Sequence, residues 1–192
     1  MPSGPSTRSP FDFSGLADQI AAASRAALSE ISARCGDDPV RAFALYTDDG
    51  AMTVCPAMAT ERQLHMLVDE NPDEADFYRF SPTEWPMEGE GAEQAFDALC
   101  TRVRTHVMAL EDEPEEDSTA FEAFREELLE TFVQVLERLR AEDPAFADPR
   151  LMLLVTVSDG DEDASVLRHR VARLNGPDVQ EQFGAWTAAW EE

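Results

Sequence analysis

The chain has 192 residues, 43% of them hydrophobic, and sets 40 acidic side chains against 15 basic ones for a formal charge of −25. That length suits one globular domain able to bury roughly 70% of its unfolded surface. Every basic residue is Arg, so a Schiff-base lysine, a P-loop lysine and a lysine general base are all excluded. The acidity argues against binding nucleic acid, whose phosphates are held by cations, and favours a basic protein partner drawn in by charge.

The opening Met1-Pro2-Ser3-Gly4-Pro5 lacks an apolar core, and residues 1–11 read as a disordered tail without an export signal. A single domain is expected over residues 12–192. Leu16, Ile20, Ala23, Ala27 and Ile31 recur at helical spacing and stop near Gly36, which predicts a first helix over about 14–34. Residues 1–35 balance three acids with three Arg, so this helix is expected to be packed rather than presented.

Val40 to Tyr46 reads as a strand, with Ala51 to Cys55 as its hairpin partner across Asp48-Asp49-Gly50. Thr60 and Gln63 form a capping box for a short helix that Asn71-Pro72 ends. The aromatic run Phe77 to Phe80 predicts a third strand before Ser81-Pro82. After the Gly89-Glu90-Gly91 turn comes a helix with Phe96, Leu99, Val103 and Val107 inward, then an acidic loop from Glu111 to Asp117.

Thr119 and Glu122 are read as the cap of a long helix, and its stripe of Phe121, Phe124, Leu128, Phe132, Val135 and Leu139 marks a central core element. Leu151 to Val157 is apolar apart from Thr156, as expected of an interior strand covered on both faces, and is too short to span a membrane. An acidic loop, Ser158 to Asp163, leads to a helix from Ala164 that stops at Asn175-Gly176-Pro177. The last helix sets Val179, Phe183, Trp186 and Trp190 on one side. The expected fold is α+β, a small and mostly antiparallel sheet packed with several helices.

No standard catalytic pattern is complete. Gln94 stands where a dinucleotide fingerprint needs its third Gly, no G-x-S-x-G elbow occurs, and His65, His106 and His169 are scattered and read as surface or packing residues. In the loop starting at Asp159, Ala164 and Arg170 occupy the positions where an EF-hand requires Gly and Glu. No cofactor or metal is therefore expected. Cys35, Cys55 and Cys100 are odd in number and widely spaced, which predicts buried free thiols in a reducing, cytoplasmic setting.

What remains is an aromatic and acidic set: Tyr46, Asp48 and Asp49 at the hairpin end, with Trp85, Glu88 and Glu90. Ring faces and carboxylates both favour positive charge, so these residues are the candidate binding site. The same carboxylates leave open a small hydrolase, with a divalent metal on Asp48, Asp49, Asp159 or Asp161. A homodimeric scaffold joined through the Trp186 and Trp190 face is a third alternative.

Phe43 to Pro56, Tyr78 to Trp85 with Glu88-Gly89-Glu90-Gly91, Val157 to Asp161, and Arg173 to Pro177 together resemble a bacterial family known as domain of unknown function 4303. The resemblance covers nearly the whole chain after the tail. It implies one α+β domain and supplies no catalytic residues. The likeness of that family to small acidic proteins encoded near toxins implies an immunity role, in which a noncatalytic protein neutralises a basic toxin.

Overall fold

A computed structural model describes residues 11–111, 118–159 and 162–190. The predicted tail up to residue 10 and most of the loop from Glu111 to Asp117 lie outside the described residues. Among those described, seven helices surround one four-stranded sheet. The helices are α1 (Phe13–Cys35), α2 (Glu61–Glu70), α3 (Ala75–Phe80), α4 (Glu93–Glu111), α5 (Ser118–Glu142), α6 (Ala164–Leu174) and α7 (Pro177–Ala188). The strands are β1 (Val40–Thr47), β2 (Cys55–Thr60), β3 (Met87–Glu88) and β4 (Met152–Val157).

The sheet runs β3-β2-β1-β4, with β2 antiparallel to both β1 and β3 but β4 parallel to β1. The fold is α+β as expected, but the sheet is mixed rather than mostly antiparallel. β4 is also an edge strand, not an interior one. Its apolar sequence reflects burial of both faces, while its open edge is handled by side chains. Asn175 accepts from the Leu153 N–H at 2.8 Å and donates to its carbonyl at 2.7 Å, and Glu162 accepts from the Val157 N–H at 2.8 Å. An unpaired edge would otherwise invite another strand.

Alternation along the strands separates two cores. Phe43, Leu45, Met58, Met87, Leu153, Val155 and Val157 face α1, α4 and α5 in the larger one. Ala42, Ala44, Tyr46, Ala57, Ala59, Met152 and Leu154 face the other way, toward Phe80, Trp85, α6 and α7. The α5 stripe is deeply buried, with Leu128, Phe132, Leu136 and Leu139 at 0% exposure. Gly91 permits the close crossing of α4's entry over α1: its φ is +87°, and a Cβ there would meet the Ala27 backbone at 3.1 Å.

Three local readings change. The hairpin partner of β1 is Cys55–Thr60, pairing Tyr46 with Cys55 and Val40 with Thr60, while residues 51–54 form the connecting loop. Phe77 to Phe80 belongs to α3, not a strand, following a 3₁₀ turn at Pro72–Glu74. Aromatic residues suit both states, and here docking on α7 through Phe80, Phe183 and Trp186 decides between them. Thr119 lies inside α5, which begins at Ser118, rather than at its cap.

The Thr60 capping box forms as expected, with Thr60 Oγ1 accepting from the Gln63 N–H at 3.3 Å and Gln63 Oε1 accepting from the Thr60 N–H at 2.9 Å. His106 packs between Phe11 and Phe124, as the packing reading required. Arg140, near the end of α5, donates to the carbonyls of Phe146, Asp148, Leu151 and Leu174 at 2.8 to 3.0 Å. It thereby holds the irregular connection into β4 and the end of α6 together.

Candidate functional site

The six residues selected from sequence fall into separate environments. Tyr46 and Trp85 lie in the smaller core, 6% and 2% exposed. The Trp85 indole N–H donates to the Tyr78 carbonyl at 3.2 Å, so the ring fixes the 78–85 segment onto the sheet instead of facing solvent. Asp48 caps the hairpin loop by accepting from the Met52 N–H at 2.6 Å. Asp49 accepts from Arg125 at 3.0 Å, and its own N–H donates to Asp159 Oδ1 at 3.1 Å. Glu90 pairs with Arg34 of α1, and Glu88 is exposed on β3.

The two acidic loops after β1 and β4 therefore meet through Asp49 and Asp159, but their carboxylates serve loop backbone and Arg125. Among the described residues no group of three or more His, Cys, Asp or Glu side chains is placed to hold a metal ion. Asp161 lies outside the described residues.

A different concavity has the dimensions of a binding site. A cleft of about 470 Å³ opens between α3, the C-terminal end of β4, α6 and α7. Phe80, Leu154, Leu167 and Phe183 form its apolar floor, while Phe77 and Trp190 stand at its rim, 42% and 46% exposed. Trp186 stacks on Phe80 with ring centroids 5.6 Å apart and meets Trp190 edge to face at 4.7 Å. The small side chains of Ala42, Ala44, Ala57 and Ala59 make a thin layer on this side of the sheet, which the large aromatic rings complete.

Polar groups enter the cleft at one end. Glu162 accepts from Arg170 at 2.5 Å and from Thr156 Oγ1 at 3.2 Å, with only 8% of its side chain exposed. Ser81, Thr83 and Ser158 complete this polar end. A second, shallower depression lined by Asp73, Glu74, Asp76, Phe77 and Trp186 adjoins the outer wall through the residues the two share. Aromatic faces beside carboxylates are the surface that attracts a cation carried on an apolar stem.

Sequence reasoning placed Trp186 and Trp190 on one helix side but assigned them to packing or dimer formation. It missed the cleft because the walls come from three distant segments, and its one local signal was a single aromatic, Phe77, following the acids Asp73, Glu74 and Asp76. The Ser81 to Thr83 rim leads directly into Trp85, so that residue supports the cleft from below without touching its contents.

None of the helices among the described residues is long and apolar enough to cross a membrane. Comparisons with curated proteins and with solved structures return no match. The model of the family described as Domain of unknown function (DUF4303) matches residues 20–176, a span from within α1 to just beyond α6 that takes in the whole sheet and leaves α7 outside. With most of its length in that match, the chain belongs to the DUF4303 family.

Proposed function

We propose that this is a noncatalytic cytoplasmic binding protein that receives a basic, partly apolar segment of a protein partner in the aromatic cleft, as an immunity protein would when it neutralises a basic toxin. The observation that carries this reading is the exposed Phe77 beside Asp73, Glu74 and Asp76, with Trp190 exposed at the rim of the same cleft. The net charge of −25 supplies long-range attraction for a cationic partner, and the rings supply the short-range anchor that charge alone lacks. Compared with the sequence expectation, the anchor moves from Trp85 to Trp190 and Phe77.

The test is binding kinetics with the partner recovered from the native host, compared between the parent and Trp190→Ala. Raising salt should slow association more than it speeds dissociation, because the Debye length is only about 8 Å in physiological salt. Trp190→Ala should cost about 2 kcal/mol or more of binding while the melting temperature stays within about a degree or two. Equal binding by the variant would remove the cleft as the contact. A parent that sediments as a dimer and a variant that sediments as a monomer would instead favour the homodimeric scaffold, with Trp190 at its interface. Hydrolysis of a substrate requiring a stoichiometric divalent metal would favour the hydrolase.

A further inference from the structure

Away from the cleft, two of the three cysteines meet where β2 begins. The Cys100 sulfur, on α4, accepts from the Val54 N–H at 3.3 Å and lies 3.4 Å from the Val54 carbonyl oxygen, to which its thiol donates. That carbonyl belongs to the peptide unit joining Val54 to Cys55, so the Cys100 sulfur stands one peptide from the Cys55 Cα. Each thiol is the largest single influence on the acidity of the other. Both residues are free and partly accessible, unlike the buried thiols expected from sequence.

We propose that Cys55 and Cys100 form a dithiol that a hydroperoxide closes to a disulfide, stapling the first residue of β2 to α4. The surroundings divide the labour between the two sulfurs. The neighbouring Cys55 thiol does most to favour a thiolate at Cys100, the Val54 N–H and Arg104, one helical turn along α4, add to it, and burial opposes it more than Asp97 does. The net effect pulls the Cys100 thiol down to about 6. Cys55 is pushed up by Cys100, by burial and by Asp48, against a smaller opposing contribution from Thr53, and keeps its proton.

The chemistry balances without a metal. The Cys100 thiolate attacks one peroxide oxygen, the O–O bond breaks, and the departing alkoxide takes a proton from water to leave an alcohol and a sulfenic acid at Cys100. The Cys55 sulfur then displaces the sulfenic oxygen, which leaves as water with the Cys55 proton as the S–S bond forms. Two thiols are oxidised and one hydroperoxide is reduced. In a reducing compartment such a bond is transient and suits sensing better than structural support.

The experiment treats the reduced full chain with equimolar hydrogen peroxide and maps its cysteines by peptide mass spectrometry. The expected product is an intramolecular Cys55–Cys100 link with Cys35 still reduced. Cys55→Ser should stop the reaction at a Cys100 sulfenic acid that dimedone traps. Alkylation of the parent at pH 6 should be about tenfold faster at Cys100 than for cysteine in an unstructured peptide, after allowing for the lower nucleophilicity of a more acidic thiol. This rate is read on the parent and stands even if a variant fails to fold. Peroxide that links Cys35, links two chains, or leaves Cys55 and Cys100 unlinked would overturn the proposal, as would alkylation of Cys100 no faster than the peptide.

Discussion

The two faces of the sheet are built on opposite plans. Toward α1, α4 and α5 the strands present Phe43, Leu45, Met58, Leu153 and Val155, which interlock with long helical stripes and leave a closed core. Toward α6 and α7 they present four alanines across β1 and β2, and depth is restored by Tyr46 near the end of β1 and by Phe80, Trp85 and Phe183 arriving from loops and short helices. Large rings on a thin floor pack less continuously than interdigitating branched chains, and the cleft opens on that side. The closed face holds the larger core, and the thin face leaves room for the cleft.

The widest separation between the faces should come from Phe132→Ala. Phe132 is fully buried on the closed side, and its truncation should destabilise the domain by about 3 to 5 kcal/mol in denaturant titration. A loss under about 0.5 kcal/mol would mean that the closed face is not a packed core. Trp85→Ala probes the thin face and should cost about 3 kcal/mol, with cleft binding lost alongside because the 81–83 rim loses its support. Full stability in that variant would show that the thin face holds without its largest ring.

Glu162→Gln should have an intermediate effect, about 1.5 to 3 kcal/mol, since it preserves an acceptor for the Val157 N–H while leaving Arg170 without its counter-charge. Comparing its melting temperature with that of Glu162→Ala would show how much of the loss belongs to the strand edge. The smallest effect concerns an end of the sheet that belongs to neither face. Asp148 is held at about 2 by Arg150, through the guanidinium and its backbone N–H, and Arg41 of β1 adds to this. Its folded value lies below the ordinary carboxylate value of about 3.9, so its contribution is complete above that value and disappears as pH falls through about 2. Asp148→Asn should flatten the acid limb of a stability profile between those values, and should do so equally in the Phe132→Ala and Trp85→Ala backgrounds if the faces are independent.

Much of the closed face was legible in the sequence. The stripes of α1, α4 and α5 each repeat over several turns, and periodicity sustained over that length has a single reading. β1 and β4 were legible as apolar runs, but no run of residues indicates that β4 lies parallel to β1 at an edge. The thin face was largely illegible. Ala57 and Ala59 carry too weak an apolar signal to mark β2, which moved the predicted hairpin partner toward Ala51; β3 has only two residues, and α3 is one short aromatic turn whose state is decided by α7 more than one hundred residues away. Of the six selected residues, Trp85 and Tyr46 drew attention for their chemistry but are held by packing, whereas Trp190 was noticed for packing and is half in solvent.

Arg140 carries a different lesson, about where the shape of a loop is encoded. The connection from α5 to β4 has little regular structure of its own, yet two of its carbonyls, with that of Leu151 at the threshold of β4 and that of Leu174 on α6, converge on one guanidinium. The loop can therefore drift in sequence wherever its side chains face outward, because its path is dictated by a residue outside it. Drift at position 140 is far more restricted. A lysine there would conserve charge yet offer three donors from a single point to four carbonyls arranged for a flat fork, so this chain's exclusive use of arginine is, at this position, a geometric requirement.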